Sequence, residues 1–337
     1  MSTAAPFAKW IFILLIIVPL SAAQRYNITD LGTYPGGAVS QGNAVNFLGQ
    51  VAGYARFADY NAQAFLWSER SGLLDLGAIP SENNFSVAQA INFFGDVVGY
   101  SDYNELENTH AVLWHRGELH DLGTLPGGSE SQANGINDRG EIAGFSNGSD
   151  NAVNAALWNQ WGDVQDLGTL KGGFYSQALA INFEGNVVGY SNAGDGNWHG
   201  FLWTKSDGMK SLPMLHGASS ASANGINDLG LVVGGSGNHA ALWSNHCEKV
   251  ESLGVLRGLG WSTAFAINDF GQVVGWSGFT AFIWSRETGM QELNRLIPSD
   301  SGWTLTIANS INLAGQITGQ GAINGQQHAF LLTPAWK

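Results

Sequence analysis

The chain is poor in cysteine, in proline and in cations: one Cys, eight Pro and 14 Lys+Arg among 337 residues. A single Cys excludes an intramolecular disulfide and any metal site built on paired cysteines. Charged residues make up 12% of the chain, about half of the roughly 25% common in soluble domains. With 27 Asp+Glu the formal charge is −13. That sign excludes a surface built to track nucleic-acid phosphates and an electrostatic anchor on anionic lipid. Long apolar runs are missing after residue 20, and no later segment repeats apolar residues at i, i+3, i+4 and i+7 over three turns. Helix content should therefore be near zero. What is plentiful is glycine, 46 residues, and tryptophan, 13 residues, within a composition that is 44% hydrophobic. So apolar a chain is not intrinsically disordered.

The one apolar run is an address. Residues 1–23 carry a single cation, Lys9, then Trp10 through Leu20, then Ser21-Ala22-Ala23. Small residues at 21 and 23 place a secretory cleavage before Gln24. About 11 residues at 1.5 Å each cover roughly 16 Å, half a hydrocarbon core, so the run is too short to span a bilayer. The expectation is an exported protein, secreted or periplasmic, whose mature domain is 24–337 and which inserts in no membrane once the signal is removed.

That domain is a repeat. Ile/Val-Asn-x-x-Gly recurs with Asn at 46, 92, 137, 182, 227, 268 and 312. After each of the first six comes a short apolar run ending in Trp67, Trp114, Trp158, Trp203, Trp243 or Trp284, and Leu332 takes that place in the seventh. A segment ending in Asp/Ser/Glu-Leu-Gly closes most units. Each unit reads as four short strands. Asn-x-x-Gly supplies a tight turn between the first two, because Asn bonds its own downstream backbone and Gly accepts a positive φ. Four strands per roughly 45 residues is the arithmetic of a β-propeller blade. The ends of the chain sharpen this. Tyr26–Gly32 matches a fourth strand, and the seventh unit stops after its third. Pairing 26–31 against 328–333 closes a seven-bladed, all-β ring and leaves no open edge.

The set His328-Ala-Phe-Leu-Leu, AFLW, DLGTLPGG and INxxGxVVGY resembles the extracellular HAF-repeat family, and the likeness runs over the whole mature chain. It implies a secreted bacterial propeller-like protein and carries no catalytic residues. The family's His is not kept in every unit: the position holds Gln63, His110, Asn154, His199, His239, Thr280 and His328.

Repetition points to structure first. The strand-ending Trp residues should wedge between neighbouring sheets, and Ala133, Gly135, Ala178, Ala180, Ala223 and Gly225 should let the innermost strands converge. The histidines stand in different blades, too far apart for a common metal ion, and each imidazole is expected to bond a neighbouring loop. His115 and His120 have no carboxylate pair at ligand spacing in sequence. Asp138, Asp228 and Asp269 should cap their own turns, since no D-x-D-x-D-G run supports calcium. Cys247 beside His246 is not a nucleophile pair, because strand neighbours point to opposite faces. No cofactor is implied.

Function should sit where the units differ. Loops between second and third strands share a face with the blade crossings. That face collects Tyr60, Asp102, Tyr103, Asp195 and Trp198, together with Phe85, Glu130, Tyr175 and Trp261 just before innermost strands. Aromatic rings among amides and carboxylates suit a glycan or another surface molecule. The expectation is a monomeric binding module with its patch over blades one to four. The alternatives are a structural surface protein, or a propeller hydrolase or lyase using Glu130 with Asp59 or Asp102, since two carboxylates are the minimum for cleaving a glycosidic bond.

Overall fold

Strand-forming Val-Val-Gly and Ala-Phe-Leu-Trp segments separated by Asn-x-x-Gly and Gly-containing turns assemble into seven four-stranded antiparallel sheets. A computed structural model of the chain describes residues 26–58, 61–81, 84–103, 108–159, 162–244 and 247–335. Residues 1–23, expected to direct export, and Asp59 and Tyr60 lie outside the described residues. Blade 4 is representative, with strands Ser176–Ile181, Val187–Asn192, Trp198–Thr204 and Gly208–Ser211 running from the axis outward. The only helical element among the described residues is one 3₁₀ turn, Leu293–Arg295, in the crossing to blade 7.

Blade 7 joins the two ends of the chain. Strands Thr304–Ile311, Ile317–Ile323 and Gln326–Pro334 are completed by Tyr26–Asp30. Ile28 pairs with Leu332 and Asp30 with Phe330. The ring is thus closed by the amino-terminal strand, as the repeat arithmetic requires.

Seven apolar clusters, each shared by two adjacent sheets, hold the blades together. The strand-ending Trp is the recurring member. Trp158 is fully buried against Val98 and Leu113 of blade 2, and Trp243 against Val188 and Leu202 of blade 4. Leu332, the seventh equivalent, packs on Val274 and Ile283 of blade 6. Small residues let the inner strands meet: a Cβ on Gly225 would lie 2.7 Å from the Phe265 carbonyl oxygen.

The repeated Asn does two jobs. Asn227 Oδ1 accepts the Leu231 amide at 2.8 Å, the expected turn contact. Its Nδ2 also donates to the Asn268 carbonyl in the next blade at 3.1 Å. The same link runs from Asn46 to Asn92, Asn137 to Asn182, Asn182 to Asn227, Asn268 to Asn312 and Asn312 back to Asn46. The seventh, Asn92, donates to Asp96 Oδ2 at 3.0 Å. The turns are therefore tied into a belt around the axis. Buried serines, two each in blades 2, 3, 4 and 6 and one each in blades 1 and 5, tie much of the rest. Ser176 donates to the Gly168 carbonyl and receives the Ala155 amide, both in blade 3. Ser191 donates to the Tyr175 carbonyl and receives the Leu170 amide from the crossing.

Three expectations need correction. The turn aspartates bridge blades instead of capping their own turns: Asp138 accepts the Phe93 amide, Asp228 the Phe183 amide and Asp269 the Asp228 amide. Sequence spacing hid this, because each partner is a full repeat away. His110 and His328 bond the aspartate on the fourth strand of their own blade, Asp121 and Asp30, and not a neighbouring loop. Antiparallel pairing of the third and fourth strands sets those groups side by side. His115 does meet a carboxylate, with its Nδ1 2.6 Å from Asp96, because the third-to-fourth hairpin folds back beside the Asn-x-x-Gly turn.

Candidate functional site

Strand direction places the crossings and the second-to-third loops on one face, the loop face, and the Asn-x-x-Gly turns on the other. The parallel bridge between Trp198 and Ser220 stitches a loop of blade 4 to the crossing into blade 5. On the loop face aromatic side chains gather by blade, as in blade 1, where Tyr34 stacks on Phe57 at 4.3 Å. Blade 2 has Phe85 against Tyr100, with ring centroids 5.9 Å apart, and Tyr103 stacked on His110 at 3.8 Å. Blade 4 has Tyr175, Tyr190 and Trp198, with Trp198 edge-on to both tyrosines at 5.4 and 5.6 Å. Blade 6 has Trp261, Trp276 and Phe279, all mutually edge-on at 4.4 to 5.4 Å.

These clusters follow from two repeat positions, the residue before the innermost strand and the penultimate core position of the second strand. The second position carries Tyr54, Tyr100, Phe145, Tyr190 and Trp276, but Gln320 in blade 7 and Gly235, with no side chain at all, in blade 5. The missing side chain opens a cleft of about 320 Å³. Tyr190 and Trp198 form one wall, Thr263 of blade 6 the other, and Ser220, Ala221, Ser222, Gly235 and Gly237 the floor. No charged side chain is among these lining residues. A Cβ at Gly235 would meet Thr263 Oγ1 at 3.5 Å and Ser222 Oγ at 3.7 Å, ordinary contact distances, so the vacancy is not forced by crowding.

The wall is preset. Tyr190 donates to Gln177 Oε1 at 2.7 Å, and the Gln177 amide contacts the Tyr175 hydroxyl. Burial, with Tyr175 beside it, pushes the Tyr190 phenol up to about 12, so it stays a neutral donor. Trp198 remains 41% exposed. Next to it Asp195 accepts from the Asn197 amide and faces His199 Nε2 at 2.9 Å, which holds its carboxyl below the usual range. His199 Nδ1 in turn meets the Ser211 hydroxyl at 3.1 Å. The loop that presents Trp198 is thereby fixed from both sides.

Among the residues expected to form the site, Tyr175 and Trp198 come together and Asp195 supports them. Phe85 and Tyr103 stand in blade 2, and Trp261 in blade 6. Asp102 is buried and receives no ligand-facing exposure; its amide bonds the Phe85 carbonyl. Glu130 is exposed in the crossing to blade 3, where its carbonyl receives Asn147 and Ser146. Sequence reasoning missed Tyr190, Ser222, Thr263 and Gly235. It missed Phe279 too, which is 69% exposed with a positive φ of 67°. With Gly278, whose φ is 51°, it forms the two-residue turn between Ser277 and Thr280, a hairpin geometry that calls for positive φ at both positions. The available signal was VVGG in unit five against VVGY in unit four and VVGW in unit six.

A second cleft of about 290 Å³ lies between blades 2 and 3, lined in part by Asp96, His115, His120 and Asp121. No group of three or more His, Cys, Asp or Glu suited to a metal ion occurs among the described residues. Cys247 is buried in the core between blades 4 and 5, and burial raises its thiol to about 11.

No family model matches the chain, and no curated protein matches it. Solved structures do. The extracellular domain of a one-component system from B. thetaiotaomicron aligns with a TM-score of 0.58 at 10% identity, over 93% of this chain and 40% of that one. Virginiamycin B lyase from Staphylococcus aureus aligns with a TM-score of 0.51 at 11% identity, over 92% and 100%. The β-propeller domain of the Trilobed protease from Pyrococcus furiosus, described as having an open velcro topology, aligns with a TM-score of 0.51 at 10% identity, over 92% and 96%. The chain thus spans less than half the length of the first of these. Such identities support the propeller fold and no shared chemistry.

Proposed function

We propose that this chain is an exported, HAF-repeat-type propeller that binds a neutral saccharide in the cleft above blade 5. The observation that carries the reading is the blade-5 vacancy itself, a slot with an aromatic wall, a floor rich in hydroxyls and no charged lining. Trp198 and Tyr190 offer apolar faces to the C–H side of a sugar ring, and Ser220, Ser222 and Thr263 offer hydroxyls to its edge. A binding role is favoured over hydrolysis because cleaving a glycosidic bond needs two carboxylates about 5–9 Å apart, and the cleft lining supplies none. Export is supported by the tripartite character of residues 1–23, and amino-terminal sequencing of the secreted protein should begin at Gln24.

A glycan array followed by calorimetry tests the site. Neutral glycans should be retained, and Trp198→Ala should weaken the best of them at least tenfold. Gly235→Tyr, which restores the side chain that blades 1, 2 and 4 carry, should do the same without lowering the melting temperature. Phe85→Ala should leave affinity unchanged. Retention of anionic ligands alone, or indifference to both cleft substitutions, would refute the assignment.

A further inference from the structure

The cleft above blade 5 borders a second aromatic group at its Thr263 wall. Thr263 is the direct cross-strand partner of Trp276 in blade 6, and the Cβ atoms of such partners stand about 5 Å apart. The floor is stitched to the same place. The carbonyl of Asn238, next to the floor residue Gly237, accepts the Ser262 amide at 3.0 Å, and Ser262 lies between Trp261 and Thr263. Trp261 and Trp276 cross edge-on with centroids 4.4 Å apart, and Phe279 completes the group at 5.3 and 5.4 Å from them. The slot is therefore flanked on both sides, by Tyr190 and Trp198 of blade 4 and by this trio of blade 6.

Phe279 is the member that the fold explains least. It is 69% exposed, at the second position of a two-residue hairpin turn with φ of 51° and 67°. Asn and Gly are the residues that favour such positions. Blade 7 closes the corresponding hairpin with Asn324-Gly325, at φ of 50° and 78°, and blade 5 closes it with Gly237-Asn238. Neither of those tips carries a ring. The interior does not call for one either, because Phe279, Trp261 and Trp276 belong to none of the seven apolar clusters between sheets. The slot itself is small. Its volume of about 320 Å³ is near the lower limit of the roughly 300–1,000 Å³ usual for ligand pockets, so a longer glycan has to continue outside it.

From these observations we infer that the cleft takes a linear neutral oligosaccharide, part of which lies in the slot while the rest crosses Thr263 and stacks on Phe279. The inference rests on the saccharide reading of the cleft and adds to it a ligand length and a second subsite. Phe279 offers an apolar face to the C–H side of an outlying sugar ring, and the Thr263 hydroxyl stands at the crossing between the two subsites. Trp261 and Trp276, edge-on to Phe279, fix the position of its ring. A ligand confined to the slot would leave Phe279 uncovered.

Calorimetry on the full chain tests this with length series of two to six units. The probes are β-1,4-linked, β-1,3-linked and α-1,4-linked glucose and β-1,4-linked N-acetylglucosamine. In at least one series affinity should rise at least tenfold between two and five units. Phe279→Gly, which suits the positive φ of the turn, should lose that rise, and Phe279→Tyr, which keeps a ring, should retain it. Trp198→Ala should weaken every length of the same series. A series bound at two units with no gain from length overturns the inference and leaves the cleft reading standing. A gain that survives in Phe279→Gly also overturns it, since the chain then runs elsewhere. Absence of binding in every series at every length overturns both readings.

Discussion

Replacing Asn227 by Asp separates the two jobs of the repeated asparagine. Asp keeps the oxygen that accepts the Leu231 amide at 2.8 Å and is as good a turn residue as Asn. It replaces the Nδ2 donor, 3.1 Å from the Asn268 carbonyl, by a second oxygen. Position 227 is 4% exposed, so water cannot repair the contact. The variant loses one hydrogen bond, worth about 1 kcal/mol, and leaves two acceptors facing each other, for a total of about 2–3 kcal/mol. Burial and the facing carbonyl would raise the folded-state pKa of the new carboxyl. A raised folded-state pKa means that stability is present below the unfolded value of roughly 4 and is lost as pH rises. The protonated acid can donate to the Asn268 carbonyl, so the deficit should shrink as pH falls toward 4. Urea unfolding of both proteins at pH 7 and pH 4.5, with midpoints compared at equal slope, measures it. A variant within about 0.5 kcal/mol of the parent at pH 7 would show that Asn serves the turn alone and that the belt contributes nothing.

Three further outcomes follow from burial and charge. Trp158→Ala removes a fully buried side chain and should cost about 3–5 kcal/mol; Trp284→Ala, at a half-buried equivalent, should cost clearly less by the same unfolding assay. The Asp121 carboxyl is opposed by burial yet held below its usual range by His110 and the Gly123 amide. Its stabilising effect is present above the unfolded pKa and lost as pH falls through the folded one. The stability difference between parent and Asp121→Asn should therefore narrow as pH falls through the carboxyl's titration. Cys247, buried with its thiol raised to about 11, should resist a thiol reagent at pH 7.5 and label fully once the chain is unfolded.

The blade count, the closing strand and the wedge role of Trp were legible in the sequence because each is written several times over. A position that repeats in step reports an environment that repeats in step, and Asn-x-x-Gly, Trp and the paired small residues each have few physical explanations. The belt was not legible. The acceptor for Asn227 is a backbone carbonyl at Asn268, 41 residues on, and carbonyls leave no trace in residue identity. The bridging aspartates were misread for the same reason. Of the candidate site, the face and the pair Tyr175 and Trp198 were legible from strand direction and composition. The cleft was not, because the reading looked for side chains that are present, whereas this slot exists where one is missing.

That asymmetry bears on where recognition can evolve in a ring of near-identical units. Residues serving the ring, such as the belt asparagines, are constrained by partners in adjacent blades, so a change in one unit strains two interfaces. Gly235 escapes this constraint. Its neighbours Ser222 and Thr263 stand at contact distance from a Cβ that is not there, so the aromatic can be dropped from one blade while the inner-strand pairing of Ser222 with Gly235 stays intact. The loss leaves the flanking clusters of blades 4 and 6 standing as walls. A single deletion of bulk thus turns a seven-fold framework into one asymmetric cleft. On this argument Gly189, the glycine of the same strand one position earlier in blade 4, cannot play that part. A Cβ there would lie 1.9 Å from the Gln177 carbonyl oxygen, so it is fixed by the pairing of the sheet and is free to vary in no blade.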